Sequence, residues 1–106
     1  MVTVPIDAAL RAPSLDRVRA LREPIETAAA RRRLHDVRVF GSVARGRTRA
    51  GSDLDLLVHP EPDASIFDLA GFMADVEELV RVSVDVVSDR GTGPTLARIR
   101  AEAVPL

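Results

Sequence analysis

The sequence predicts an α/β fold in which a small mixed β-sheet carries helices packed on one face. Apolar residues recur at helical spacing before residue 34 and again over residues 66–80. Short runs that are typical of strands, with aliphatic residues on at least one face, occupy residues 37–40, 53–58 and 82–87. These stretches follow one another as helix, strand, loop, strand, helix, strand and helix. That alternation is typical of a sheet layer covered by a helix layer.

The N-terminal part predicts an extended arm followed by helix. Residues 1–13 contain two prolines and no clear period, so we expect an arm there and a single domain over residues 14–106. Ser14 is a suitable N-cap for the first helix. Pro24 interrupts the helical pattern, which either kinks there or starts a second helix with Pro24 at its first position. The helical run extends to about Leu34.

Three strands are predicted from alternating side chains and from the residues that end each run. Apolar and other residues alternate over residues 37–40, which lead into a glycine. Residues 41–52 predict a turn followed by a loop, and the turn can include one helical turn. Residues 53–58 form the second predicted strand. We expect His59-Pro60 to end it, because proline cannot extend a central strand. Residues 82–87 form the third predicted strand.

A long amphipathic helix lies between the second and third strands. Ser65 and Asp68 have the spacing of a capping box. Phe67 and Phe72 are expected in the core or beside it. After the turn at residues 91–94, a last helix carries apolar residues at helical spacing. The apolar stripe of the long helix is formed by Ile66, Leu69, Met73, Val76 and Val80.

Composition excludes several classes of protein. The chain has 106 residues, a net charge of −1 and no cysteine, so disulfides and thiolate metal sites are excluded. It contains neither an apolar run of roughly 18 residues nor a secretory signal, so we expect no membrane span and a cytoplasmic protein. All 15 basic residues are arginine, and phenylalanine is the only aromatic type, with three residues. Direct binding to nucleic acid is therefore not expected.

Three aspartates are the candidate metal ligands. Because side chains alternate along a strand, Asp53 and Asp55 point to the same face of the second strand, away from the aliphatic face. Asp85 has the corresponding place in the third strand, and it completes a cluster if the two strands are neighbours. Crowded carboxylates raise one another's pKa unless a cation fills the site. Oxygen ligands with room for water and phosphate favour Mg²⁺ or Mn²⁺.

A glycine turn precedes these acids and suits a nucleotide phosphate. Gly41 lets the backbone approach a ligand closely, and Ser42 offers a hydroxyl. Arg45 lies three residues further on and can reach the same phosphates. Arg47 and Arg49 flank the turn, and the sequence leaves open whether they contact the substrate or only solvent.

These motifs resemble a known family. Residues 39–46, residues 52–58 and residues 84–87 are similar to the glycine turn, the paired acids and the third acid of the minimal nucleotidyltransferases, in the DNA polymerase beta superfamily. The closing residues 99–106 look like the usual end of these proteins. The resemblance covers roughly residues 15–106, and it implies the polymerase beta-like nucleotidyltransferase fold.

The resemblance also implies an activity and a role for each residue. Asp53 and Asp55 would hold two Mg²⁺ ions, and Asp85 would bind the metal on the acceptor side and help to deprotonate the incoming hydroxyl. Gly41 and Ser42 would hold the triphosphate of ATP. The hydroxyl would attack the α-phosphorus in line, and pyrophosphate would leave.

The acceptor is implied by the resemblance alone. Short members of the family are commonly antitoxins of HEPN/MNT toxin–antitoxin systems, encoded beside the gene of a helical HEPN ribonuclease toxin. They transfer AMP to a tyrosine of that toxin. Two alternatives stay open: a binding module that inhibits its partner by contact, and a transferase acting on a small hydroxyl compound. Replacing Asp53 and Asp55 separates catalysis from contact, because only catalysis depends on them.

Overall fold

The computed structural model describes residues 12–106, so the expected N-terminal arm lies outside the described residues up to residue 11. The helices of the described part are α1 (Leu15–Ala20), α2 (Arg22–Arg31), α3 (Gly41–Arg45), α4 (Ile66–Val80) and α5 (Pro94–Glu102). The strands are β1 (Leu34–Phe40), β2 (Leu54–Pro60), β3 (Val84–Ser88) and β4 (Val104–Pro105).

The strands form one mixed sheet in the order β3-β2-β1-β4. Strand β1 is antiparallel to both β2 and β4, whereas β2 and β3 are parallel. Parallel neighbours need a crossover connection, and α4 supplies it between β2 and β3. The predicted α/β class with a small mixed sheet is confirmed.

The first helices begin as expected but divide at a different residue. The Ser14 side chain accepts a hydrogen bond from the Arg17 N–H at 3.2 Å, which confirms the predicted N-cap. The helix breaks at Leu21, which ends α1 and precedes α2. Pro24 therefore lies within the first turn of α2 and not at its first position. It is accepted there because the N–H groups of a first turn have no acceptor inside their own helix.

Strands β1 and β2 are both longer than the sequence predicts. Arg33 has a positive φ of 61°, which ends the helical conformation of the backbone. Strand β1 therefore begins at Leu34, three residues before the predicted start at residue 37. Leu34 is buried and pairs with Pro60. The expectation that β2 ends before Pro60 was wrong. Pro60 is the last residue of β2, and its carbonyl accepts a hydrogen bond from Arg90 Nη2 at 2.6 Å.

The third strand begins later than predicted, and a fourth strand was missed. Strand β3 starts at Val84, whose N–H donates to Glu77 Oε2 at 3.0 Å. Strand β4 has only two residues, Val104–Pro105, which is too short to show an alternating pattern. It pairs with Arg38 and Val39 of β1 and so anchors the C-terminus beside the glycine turn.

The core lies between the sheet and the helices α2 and α4. Phe72 and Val76 of α4 are fully buried, as expected, and the capping box of Ser65 with Asp68 is present. Ile66 and Phe67 are exposed by 74% and 80%, so their predicted places in the core were wrong. Both belong to the first turn of α4, and the packed residues of the helix begin in its second turn. Among residues 12–106, every helix is too short or too polar to span a bilayer.

Candidate functional site

Three strand ends bring the candidate residues together. Phe40 at the end of β1 pairs with Asp55 near the start of β2, and Asp55 pairs with Asp85 near the start of β3. The second and third strands are neighbours, which is the condition under which Asp85 joins the other two aspartates. Gly41 follows Phe40 directly, so the glycine turn begins beside the paired aspartates.

Any residue other than glycine at position 41 would produce a steric clash. Its φ is +73°, in the left-handed region that side chains disfavour. A Cβ added to Gly41 would overlap Oδ2 of Asp55. The backbone of the turn therefore passes directly against the carboxylate that lies at the centre of the candidate site.

The turn after Gly41 is a short helix. Helix α3 has five residues, and its C-cap is Gly46, whose φ is +71°. The N–H of Arg47 donates to the carbonyl of Ser42 at 2.9 Å and closes the turn. Arg45 Nη1 lies 3.1 Å from Glu102 Oε1, and half of the Arg45 side chain is exposed. The structure thus gives Arg45 an ion-pair partner, and its contact with a nucleotide stays a prediction.

Asp53 is positioned by the loop that precedes β2. The N–H of Arg49 donates to Ser52 Oγ, and the N–H of Ser52 donates to the carbonyl of Arg49, both at 2.9 Å. On the other side of Asp53, the Leu54 N–H donates to the carbonyl of Ser83 at 2.9 Å. Asp53 is exposed between these two fixed points, at the same edge of the sheet as Asp55.

The electrostatics of the site centre on Asp55. Burial, the negative charges of Asp85 and Asp53 and a hydrogen bond with Asp85 together raise the pKa of this carboxyl to about 6, against the opposing charge of Arg45. The expected rise in pKa within the acidic cluster is confirmed for Asp55. Keeping this carboxylate ionised is costly, and a nearby cation would remove the cost.

The donor set fits a hard divalent cation. Within residues 12–106, no three His, Asp or Glu side chains already lie in the arrangement of a metal site. Asp53, Asp55 and Asp85 offer only carboxylate oxygens, which Mg²⁺ prefers when water and phosphate complete its coordination. Their function as ligands stays a prediction.

Glu102 is a contact of the site that the sequence analysis missed. It is the last residue of α5, and its Oε1 accepts hydrogen bonds from the Gly41 N–H at 3.0 Å and from Arg45 Nη1 at 3.1 Å. The only signal for it in the sequence was the placement of residues 99–106 as the family's usual end, which gives no partner for a particular side chain.

A second ionic cluster lies on the sheet beyond the site. Asp89 Oδ2 is 2.6 Å from Arg38 Nη2, and Asp89 Oδ1 is 2.8 Å from His59 Nδ1. Burial raises the pKa of Asp89, but the hydrogen bonds from His59 and Arg38 outweigh it and hold the pKa below its usual value. Arg100 of α5 also donates to the Asp89 carbonyl. This cluster connects β1, β2 and α5 and gives the His59 ring a hydrogen-bond partner.

The geometry agrees with what comparison with known proteins finds. The sequence pattern of the family described as "Nucleotidyltransferase domain" matches residues 21–105, which include the glycine turn and all three aspartates. The chain belongs to this family. It is a nucleotidyltransferase.

Two relatives of this nucleotidyltransferase are similar over most of their own length. MJ0435 of Methanocaldococcus jannaschii, a candidate protein adenylyltransferase, is 37% identical over 67 residues, which are 62% of this chain and 72% of the relative. A solved structure of a candidate minimal nucleotidyltransferase is 44% identical. Their superposition covers 89% of this chain and 97% of the other, with a TM-score of 0.78.

Two toxin–antitoxin structures share the fold of this nucleotidyltransferase. One is a toxin–antitoxin with AMP-PNP, which is 19% identical, with a TM-score of 0.61 over 83% of this chain and 67% of the other. The other is a mutant of the toxin–antitoxin MntA–HpeT, which is 16% identical, with a TM-score of 0.57 over 83% of this chain and 66% of the other. At this level of identity the likeness shows the fold alone.

Proposed function

We propose that this nucleotidyltransferase transfers AMP from ATP to a hydroxyl of a partner protein and acts as the antitoxin of a HEPN-type ribonuclease toxin. The observation that carries the chemistry is the position of Gly41 against Asp55, with Asp85 paired to Asp55 on the neighbouring strand. The protein acceptor is supported by the name of the archaeal relative and by the toxin–antitoxin structures that share the fold.

The proposed reaction is one displacement at phosphorus. The acceptor hydroxyl oxygen forms a bond to the α-phosphorus of ATP, and the bond from that phosphorus to the bridging oxygen of the β-phosphate breaks. Pyrophosphate leaves, and AMP stays on the acceptor as a phosphodiester. Asp85 is the proposed recipient of the hydroxyl proton, because it is exposed beside Asp55 and open to an acceptor.

The glycine turn and the three aspartates have different proposed roles in binding the substrate and the metal. Gly41 and Ser42 would bind the triphosphate, with the half-exposed Arg45 beside them. Asp53, Asp55 and Asp85 would hold Mg²⁺, or Mn²⁺ in its place. When bound, such ions neutralise the charge that develops on the attacking and leaving oxygens. The cytoplasm supplies both ATP and Mg²⁺, and we place the reaction there.

We propose a tyrosine of the toxin as the acceptor. The test is the intact mass of the product of the neighbouring gene after incubation with this protein, ATP and Mg²⁺. We expect the mass to increase by one or more AMP units. The increase should vanish with Asp53→Asn and with Asp55→Asn and should persist with Glu78→Gln, because Glu78 is exposed on the last part of α4, outside the site.

The same experiment separates the other functions. A stable complex without any increase in mass would show inhibition by contact and would contradict the proposed transfer to protein. If neither a complex nor an increase in mass is found, and pyrophosphate is released when small hydroxyl compounds are added, the acceptor is a small molecule.

A further inference from the structure

We propose that Glu102 is a positioning residue for the nucleotide: it fixes Gly41 and Arg45 in the arrangement that receives the triphosphate. This inference rests on the proposed function, which assigns the nucleotide to the turn that begins at Gly41. It adds a residue that lies 61 positions after Gly41 in the sequence. The carboxylate of Glu102 acts through the groups that bind ATP and does not itself contact the nucleotide.

Strand β4 determines where Glu102 lies. In the antiparallel pairing of β1 with β4, Val39 is opposite Val104. Gly41 lies two residues after Val39, and Glu102 lies two residues before Val104. Continuing the register therefore places Gly41 opposite Glu102. The chain leaves α5 through Ala103, whose extended backbone (φ −69°, ψ 140°) connects Glu102 to β4.

The C-terminal segment that carries Glu102 is anchored on several sides. The carbonyl of Pro105 accepts a hydrogen bond from Arg19 Nη2 at 2.7 Å. The N–H of Leu106 donates to the carbonyl of Val37 at 3.3 Å, and Leu106 is buried in the core. These contacts connect the segment to α1 and β1, so Glu102 is presented to the turn from a fixed support.

Glu102 and Asp55 contact different parts of Gly41. Its Oε1 accepts the Gly41 N–H, while the direction in which Gly41 lacks a Cβ is filled by Asp55. Gly41 is therefore in contact with two carboxylates. The hydrogen bond to Glu102 fixes the backbone of Gly41, and with it the close approach of the turn to Asp55.

The second contact of Glu102 orients a guanidinium. Arg45 Nη1 bonds to the same oxygen of Glu102, yet half of the Arg45 side chain stays exposed. A guanidinium has five N–H donors in a rigid fork, so this one hydrogen bond leaves donors for phosphate oxygens. The side chain of Glu102 is only 29% exposed, which strengthens a charge-assisted hydrogen bond.

The test is the affinity for ATP in the presence of Mg²⁺, measured by calorimetry without any acceptor. Glu102→Ala removes both contacts, and we expect the dissociation constant to rise about tenfold or more, since hydrogen bonds to charged groups have this magnitude. Glu102→Gln retains an oxygen for the Gly41 N–H and loses the charge beside Arg45. Its affinity for ATP should therefore lie between that of the wild type and that of Glu102→Ala. Glu78→Ala is the matched control, because it removes an exposed glutamate outside the site.

The outcomes are distinguishable. If the wild-type protein binds ATP and both Glu102 variants bind it within twofold as well, Glu102 has no positioning role, even if the variants melt at lower temperature. Tighter binding by Glu102→Ala would also overturn the inference, because the carboxylate would then compete with the triphosphate. Absence of ATP binding by the wild type would overturn the proposed function itself. If Glu102→Ala does not fold, the intermediate affinity expected of Glu102→Gln decides.

Discussion

Replacing Gly41 with alanine tests whether Asp55 depends on the backbone turn beside it. Two effects oppose this substitution: the positive φ of +73°, and the overlap of the new Cβ with Asp55 Oδ2. Gly46, the C-cap of the same short helix, is a matched control. Its φ is +71°, but a Cβ there would meet nothing within 4 Å. Gly46→Ala therefore reports the backbone effect alone.

The two effects have different magnitudes. The left-handed conformation costs an alanine about 1–2 kcal/mol. Forcing an extra methyl group into occupied space costs about 1–3 kcal/mol more. We therefore expect Gly46→Ala to lower the free energy of unfolding by about 1–2 kcal/mol and Gly41→Ala to lower it by about 2 kcal/mol more than that.

Urea unfolding followed by circular dichroism measures this difference, and a double-mutant cycle assigns it. In an Asp55→Ala background the carboxylate is gone, so Gly41→Ala should cost no more than Gly46→Ala does. Equal costs for Gly41→Ala and Gly46→Ala in the wild-type background would refute the close contact between the turn and Asp55. Full ATP-dependent activity of Gly41→Ala would refute the need for that contact in function.

Three further predictions concern charge and packing. Asp55→Asn should raise the free energy of unfolding of the metal-free protein at pH 7.5 by about 1 kcal/mol, measured by urea unfolding. The rise in the pKa of Asp55 from 3.8 to about 6 sets an upper limit of about 3 kcal/mol on this gain. The gain is smaller than the limit because solvent screens the charge of the partly exposed carboxylate. This gain should disappear as the pH falls from 6 to 4, because the folded wild type then holds Asp55 protonated. Asp89→Asn should lower the free energy of unfolding at pH 7 by about 2 kcal/mol, because Arg38 loses its carboxylate. The contribution of Asp89 is complete above the ordinary carboxyl pKa of 3.8 and is lost as the pH falls through the lower pKa of the folded state, so wild type and variant should converge in acid. Phe72→Ala should cost about 3–5 kcal/mol, whereas Phe67→Ala should change the unfolding midpoint little because Phe67 is 80% exposed.

The features visible in the sequence were those with a local physical signature. Alternation along a strand placed Asp53 and Asp55 on one face, and the pairing of two aliphatic strands brought Asp85 to them. Glu102 could not be predicted, because its contact depends on a two-residue strand that contains a proline and shows no pattern. Phe67 was misplaced for a related reason: helical spacing gives the face of a helix, but not the turn at which packing begins.

The most direct test of the account is the origin of the phosphorus that reaches the acceptor. The purified product of the neighbouring gene is incubated with this protein and Mg²⁺, once with ATP labelled at the α-phosphate and once with ATP labelled at the γ-phosphate. We expect label on the acceptor from the α-position only, and none from either position with Asp55→Asn. Label from the γ-position, or transfer that survives Asp55→Asn, would contradict a nucleotidyl transfer carried out by these aspartates.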